Sequence, residues 1–178
     1  MMAESILVVM KTRLLALSVI SLALVSTPTF AAETKLSNSQ SITISESCSS
    51  IRQKLKNIQR TDSRTRTYFG AIYETVSSKF LKPLNLRLVN NDLANSTTLE
   101  LQTSLVDARV AFSDDFISYS KSLEELITID CRLEPETFYQ KLLETRKKRA
   151  TVASDVKKLN ELLINVVKNT EKLKESLK

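Results

Sequence analysis

FYQKLLETRKKRATVASDVKKLNELLINVVKNTEKLKESL, residues 138–177, carries a seam whose members alternate steps of four and three. They are Phe138, Leu142, Thr145, Arg149, Val152, Val156, Leu159, Leu163, Val166, Thr170, Leu173 and Leu177. Residues at that spacing fall on one face of an α-helix. A seam of this length needs partner helices to cover it, and that need decides the fold class.

Two upstream segments supply the cover. Cys48, Ile51, Leu55, Ile58, Asp62, Thr65, Phe69, Ile72 and Val76 keep the same spacing. They predict a first helix from near Glu46 to about Asn90, with a kink or break at Lys82-Pro83 because a residue before Pro avoids the helical region. Gly70 lies inside it, at a cost of about 1 kcal/mol against Ala. It either allows close helix approach or is incidental. Asn90 to Ser96 reads as a turn, and Thr97 with Glu100 as a capping box that opens a second helix running to about Cys131. Leu101, Leu105, Ala108, Phe112, Phe116, Tyr119, Leu123 and Leu126 line that helix, with one extra step of four at Phe112–Phe116. Pro135 suits the first position of a third helix. The fold class is therefore all-α: an elongated, coiled-coil-like, up-down-up three-helix antiparallel bundle over residues 46–178, with helices at about 46–90, 97–131 and 135–178. Residues 32–45, rich in Ser and Thr, read as a flexible linker.

Antiparallel packing brings the start of the first helix beside the end of the second. Those places hold the chain's two cysteines, Cys48 and Cys131. A disulfide between them is expected in an exported protein, the alternative being two buried thiols. Export itself is read from the leader. Met10-Lys11-Thr12-Arg13 is a basic head, Leu14 to Val25 an apolar run, and Thr29-Phe30-Ala31 a small-x-small cleavage site. Residues 1–31 are thus assigned as a signal peptide, with Met10 an alternative initiator. A retained membrane anchor is the competing reading, although the run is shorter than the roughly 20 residues of a spanning helix. The expected location is periplasmic, cell-surface or secreted, with no transmembrane segment in the mature chain.

Composition narrows the chemistry. The chain of 178 residues has one Gly and no His. A glycine-rich phosphate loop, the Ser-His-Asp and Cys-His constellations and His-containing zinc sites are excluded. The adjacent carboxylates Asp114/Asp115 and Glu124/Glu125 point about 100° apart on a helix and make poor acid-base dyads. Neither catalytic residues, a cofactor nor a metal site are expected. The net charge is +6, and loss of Lys11, Arg13 and Glu4 with the leader leaves +5. That balance is modest, and nucleic acid is not an expected partner.

Two polar features remain. Asp62 and Arg149 occupy seam positions at equal heights of about 21 Å up the first and third helices. With Asp114 and Asp115 on the facing helix, a buried polar layer is expected in which Arg149 pairs with Asp62 or Asp115. The alternative is a loose bundle whose side chains here reach water. Arg146, Lys147, Lys148 and Arg149, with Lys157 and Lys158, form the densest positive cluster. They read either as a site for an anionic envelope surface or acidic partner, or as a solvated helix face. Arg52, Lys54, Lys56, Arg60, Arg64 and Arg66 lie at similar heights on the first helix and could share one side of the rod with them.

Tyr68-Phe69-Gly70, Tyr73-Glu74, Pro83-Leu84-Asn85, Ile129-Asp130-Cys131, Phe138-Tyr139 and Lys158-Leu159-Asn160-Glu161-Leu162 together resemble uncharacterised exported helical-bundle proteins of bacteria. The likeness covers most of the mature chain and implies no activity. By periodicity alone the architecture is also similar to spectrin-like three-helix rods, and fold analogy does not transfer function. The expected role is a non-enzymatic extracytoplasmic structural or protein-interaction module. A periplasmic holdase-like chaperone and a peripheral protein that binds an anionic envelope surface are the alternatives.

Overall fold

A computed structural model describes residues 35–93 and 95–176. The leader, its cleavage site and residues 32–34 of the expected linker lie outside the described residues. The fold is the expected three-rod bundle. The first rod joins α1 (Asn38–Glu74), a π-helical segment (Thr75–Leu81) and α2 (Lys82–Asn90) without a break. The second rod is α3 (Ser96–Thr128) and the third is α4 (Pro135–Ser176). At 1.5 Å per residue the rods measure about 80, 50 and 63 Å.

Register is legible in the cross-rod bonds. Ser45 to Arg132, Asp62 to Arg149 and Tyr73 to Asn160 all have a sequence separation of 87. A constant separation means that the first and third rods run parallel. Between the second and third rods, Ser122 bonds Thr145 and Asn169 bonds Thr98. Here one number falls as the other rises, so this pair is antiparallel. The second and third rods pack most extensively.

The first helix begins eight residues before Glu46, and the expected linker is helical from Asn38. Ser37 is a capping box with Gln40: the Ser37 hydroxyl accepts the Gln40 N–H, and the Gln40 side chain accepts the Ser37 N–H. Those bonds satisfy two end donors, and Ile44 packs against the core. A sequence poor in large apolar groups still forms a helix when its end is capped and one side chain is partly buried.

Pro83 does not break the rod. The chain widens into π geometry just before it, and the Lys82 N–H reaches back to the Ser77 carbonyl. A wider turn leaves room for the ring and compensates for the missing donor. The second helix starts one residue before Thr97. Asn95 is its N-cap, and its side-chain oxygen accepts the Thr98 N–H at 2.9 Å and the Thr98 hydroxyl at 3.0 Å. The helix stops at Thr128 rather than Cys131. Asp130 supplies the reason: its side chain accepts the Arg132 N–H, and its carbonyl accepts those of Leu133 and Glu134. A short acidic side chain that bonds the backbone two residues on competes with helix continuation.

A disulfide joins Cys48 to Cys131, with Cα atoms 5.5 Å apart. Above it runs one continuous core. Phe69, Tyr73, Phe112, Phe116 and Tyr119 form a chain of ring contacts with centroids 5.9–6.2 Å apart. The extra step of four at Phe112–Phe116 places both rings in it.

Gly70 serves no close approach, because a Cβ built there meets nothing within 4 Å. Gly70→Ala is therefore expected to raise the free energy of unfolding by about 0.5–1 kcal/mol in urea titration, through helix propensity and a less flexible unfolded chain. A destabilised variant would contradict the open space seen here.

Candidate functional site

Asp62 ties the three rods together. Its side chain is 18% exposed and accepts the Arg149 Nε–H at 2.9 Å and the Nη2–H at 3.1 Å. The Tyr119 hydroxyl donates to the same carboxylate at 2.7 Å. Burial pushes the Tyr119 phenol well above its ordinary value; the Asp62 charge adds to the rise and Arg149 opposes it. The hydroxyl is thus kept protonated as a donor.

Asp115 takes no part in this layer. The second rod meets Asp62 one turn lower, at Tyr119. Asp115 instead faces Asp155 of the third rod. Burial, then the Asp115 carboxylate, raises the Asp155 pKa, with Lys158 opposing. The Asp155 Oδ2 is buried without a hydrogen-bond partner. Asp114 is exposed at the rim of a groove.

The basic cluster on the third rod divides. Arg149 is taken by Asp62, and Lys148 by Glu144 at 2.9 Å. Arg146, Lys147, Lys157 and Lys158 are exposed. Four successive residues fan around a helix by 100° each, so they do not converge on one point. Nor do Arg52 and Lys56 join them. Both line a groove of about 410 Å³ with Asp130 and Arg132, beside Cys48. A second groove of about 430 Å³ is lined by Arg66, Gly70, Arg109, Val110 and Asp114. Arg66 sits 5.2 Å from the centre of the Phe116 ring, and Arg109 pairs with Glu74. Both of these grooves lie beside the first rod on the side of the second rod and the turn that follows it, and a smaller one of about 240 Å³ lies between the first and third rods, lined by Ser39, Gln40, Thr43, Ile44 and Tyr139.

Sequence reading missed the groove at the disulfide, although its signal was available. Arg52 lies one turn from Cys48 and Arg132 is the neighbour of Cys131, so the bond between the cysteines also brings the two residues to one groove. Among the described residues no cluster of three or more metal-binding side chains occurs, and no helix is long and apolar enough to cross a membrane. No protein family, curated protein or solved structure matches the chain.

Two sets of substitutions probe these contacts. Arg149→Met leaves the mostly buried Asp62 carboxylate without its cation, whereas Asp62→Asn leaves a guanidinium that is 54% exposed and free to hydrate. Arg149→Met should cost about 1–3 kcal/mol and Asp62→Asn about 1 kcal/mol, read from urea midpoints; equal costs would contradict the asymmetry. Asp155→Asn should raise the thermal midpoint at pH 7. A carboxyl whose folded pKa is raised stabilises the fold below the unfolded value near 4, and that contribution is lost as pH rises through the folded pKa. The advantage of the amide should therefore shrink as pH falls towards about 4.

Proposed function

We propose that the chain is an exported, non-catalytic binding module, a stiff shaft that presents a surface to a partner. The observation that carries this reading is the Cys48–Cys131 bond. Structural disulfides persist in oxidising compartments and are rare where thiols are kept reduced. The basic head, apolar run and small-x-small site of residues 10–31 support the same reading.

The polar interior favours a structural over a catalytic use. Asp62, Tyr119 and Arg149 satisfy one another, as do Ser122 and Thr145. Groups consumed in this way hold register between rods. Open grooves between the first and second rods leave surface for a partner.

A holdase-like role is the second reading. Leu86, Val89, Leu93 and Leu99 are 46–61% exposed around the hairpin between the first and second rods. Apolar side chains grouped at one end of a rod suit transient contact with unfolded chains. Suppression of aggregation of a reduced client protein, lost on Val89→Ser with Leu99→Ser, would favour it over the adaptor reading.

The leading reading is tested by expressing the full chain in a bacterial host and separating compartments. Exported material should run faster on a non-reducing gel than after reduction, and Cys48→Ser should abolish the difference. The substitution should also cost about 4–5 kcal/mol, the loop entropy of a closure of 83 residues. A chain retained in the reducing compartment with both thiols open to alkylation would overturn the proposal.

A further inference from the structure

We infer that the groove beside the Cys48–Cys131 bond binds a doubly charged phosphate group. The inference rests on the binding-module reading and names the chemistry that its surface takes. Arg52 and Lys56 stand one turn apart on α1 and therefore share a face. Arg132 comes to them from the turn after α3. Its position is set twice over: Cys131 is bonded to Cys48, and Asp130 accepts the Arg132 N–H at 2.9 Å. The three cations are brought to one groove by constraints that need no ligand, and such preorganisation lowers the cost of binding.

Their lack of partners is what points to an anion. Arg109, Lys141, Lys148 and Arg149, which lie against other rods or along their own, each pair with a carboxylate. Arg52, Lys56 and Arg132 have no side-chain hydrogen bond or ion pair among the described residues, although Arg52 is half-buried. Three like charges around one groove repel, and water is displaced from at least one of them.

Charge selects the ligand class. The lining holds three cations and one carboxylate, Asp130, an excess of two positive charges. A single carboxylate ligand would leave one charge over. A phosphate monoester carries about −1.5 to −2 at pH 7 and offers three acceptor oxygens. Arginine forks and a lysine point charge are the donors that such a group takes. The groove, about 410 Å³, has room for the phosphate and part of what bears it. Leu133, next to Arg132, is 81% exposed. An exposed apolar side chain next in sequence to a lining cation suits a phosphate at a lipid surface as well as a soluble one.

The test uses the full chain with its disulfide verified on a non-reducing gel, which separates failure here from failure of the export reading. Inorganic phosphate is titrated calorimetrically at about pH 8, where it carries close to two charges. Acetate is the control, and vesicles of phosphatidylcholine with phosphatidic acid are the second arm. Saturable binding of phosphate, or of vesicles only when they contain phosphatidic acid, is expected. It should weaken by about tenfold or more in Lys56→Gln and in Arg132→Gln, the loss of one charge-assisted contact. Lys168→Gln should leave it unchanged, and all variants should keep their helicity by circular dichroism. Binding in solution identifies a soluble phosphate, and binding to vesicles alone identifies a headgroup; either supports the site. Equal binding of acetate and phosphate, binding indifferent to both groove substitutions, or no binding in either arm would overturn it.

Discussion

Between Leu55 and Tyr73 the first rod has no fully buried side chain, so the Cys48–Cys131 bond at its base is the constraint on which the remaining contacts depend. Ile58, Phe69 and Ile72 are only partly covered in that stretch. Hydrophobic burial scales with area, and this area is small. The bond holds the lower end, the hairpin near Asn95 holds the upper end, and the Asp62 carboxylate pins the middle to both neighbours. The second and third rods, by contrast, pack along their length through Leu105, Leu123, Phe138, Leu159 and Leu163. The second and third rods form a hydrophobic pair, and between Leu55 and Tyr73 the first rod is attached to them at discrete points, joining the core again through Tyr73, Val76 and Leu81.

Periodicity and chain reversal were enough to read the rods and the disulfide, because each follows from side-chain spacing and from which ends must meet. Asp62 and Arg149 could be matched by height because parallel helices share a rise per residue. Finer features depend on contacts that spacing does not encode. The helical stretch Asn38–Ser45 rests on a Ser37–Gln40 cap in a polar region. The π segment answers a local problem posed by Pro83. Asp115 follows from rotation about the second rod, which set Tyr119 opposite Asp62 and turned Asp115 to the third rod. The groove at the disulfide lies where a helix face meets a turn, and helical periodicity says nothing about how a turn directs Arg132.

The polar groups divide by role. Between rods, Asp62, Tyr119 and Arg149 satisfy one another, as do Ser122 and Thr145, whereas the Asp155 Oδ2 is left without a partner. At the disulfide end the side chains of Arg52, Lys56 and Arg132 line one groove and pair with no carboxylate among the described residues. The charged side chains divide in the same way, by whether the fold already neutralises them. The fold neutralises Arg149 and Lys148, which the sequence placed in a single cluster with Arg146 and Lys147. It leaves Arg52, Lys56 and Arg132 together.

The covalent link also bears on how the shaft responds to mechanical load. The bond spans a separation of 83 residues, the bulk of the first rod and all of the second. Traction on the chain from outside that span passes through sulfur and cannot lengthen what lies within. At about 3.5 Å for each stretched residue, close to 290 Å of contour is withheld from extension. Only the segment before Cys48 and the third rod can pay out. Reduction would release the stored length, so the compliance of the molecule is set by the redox state of its surroundings.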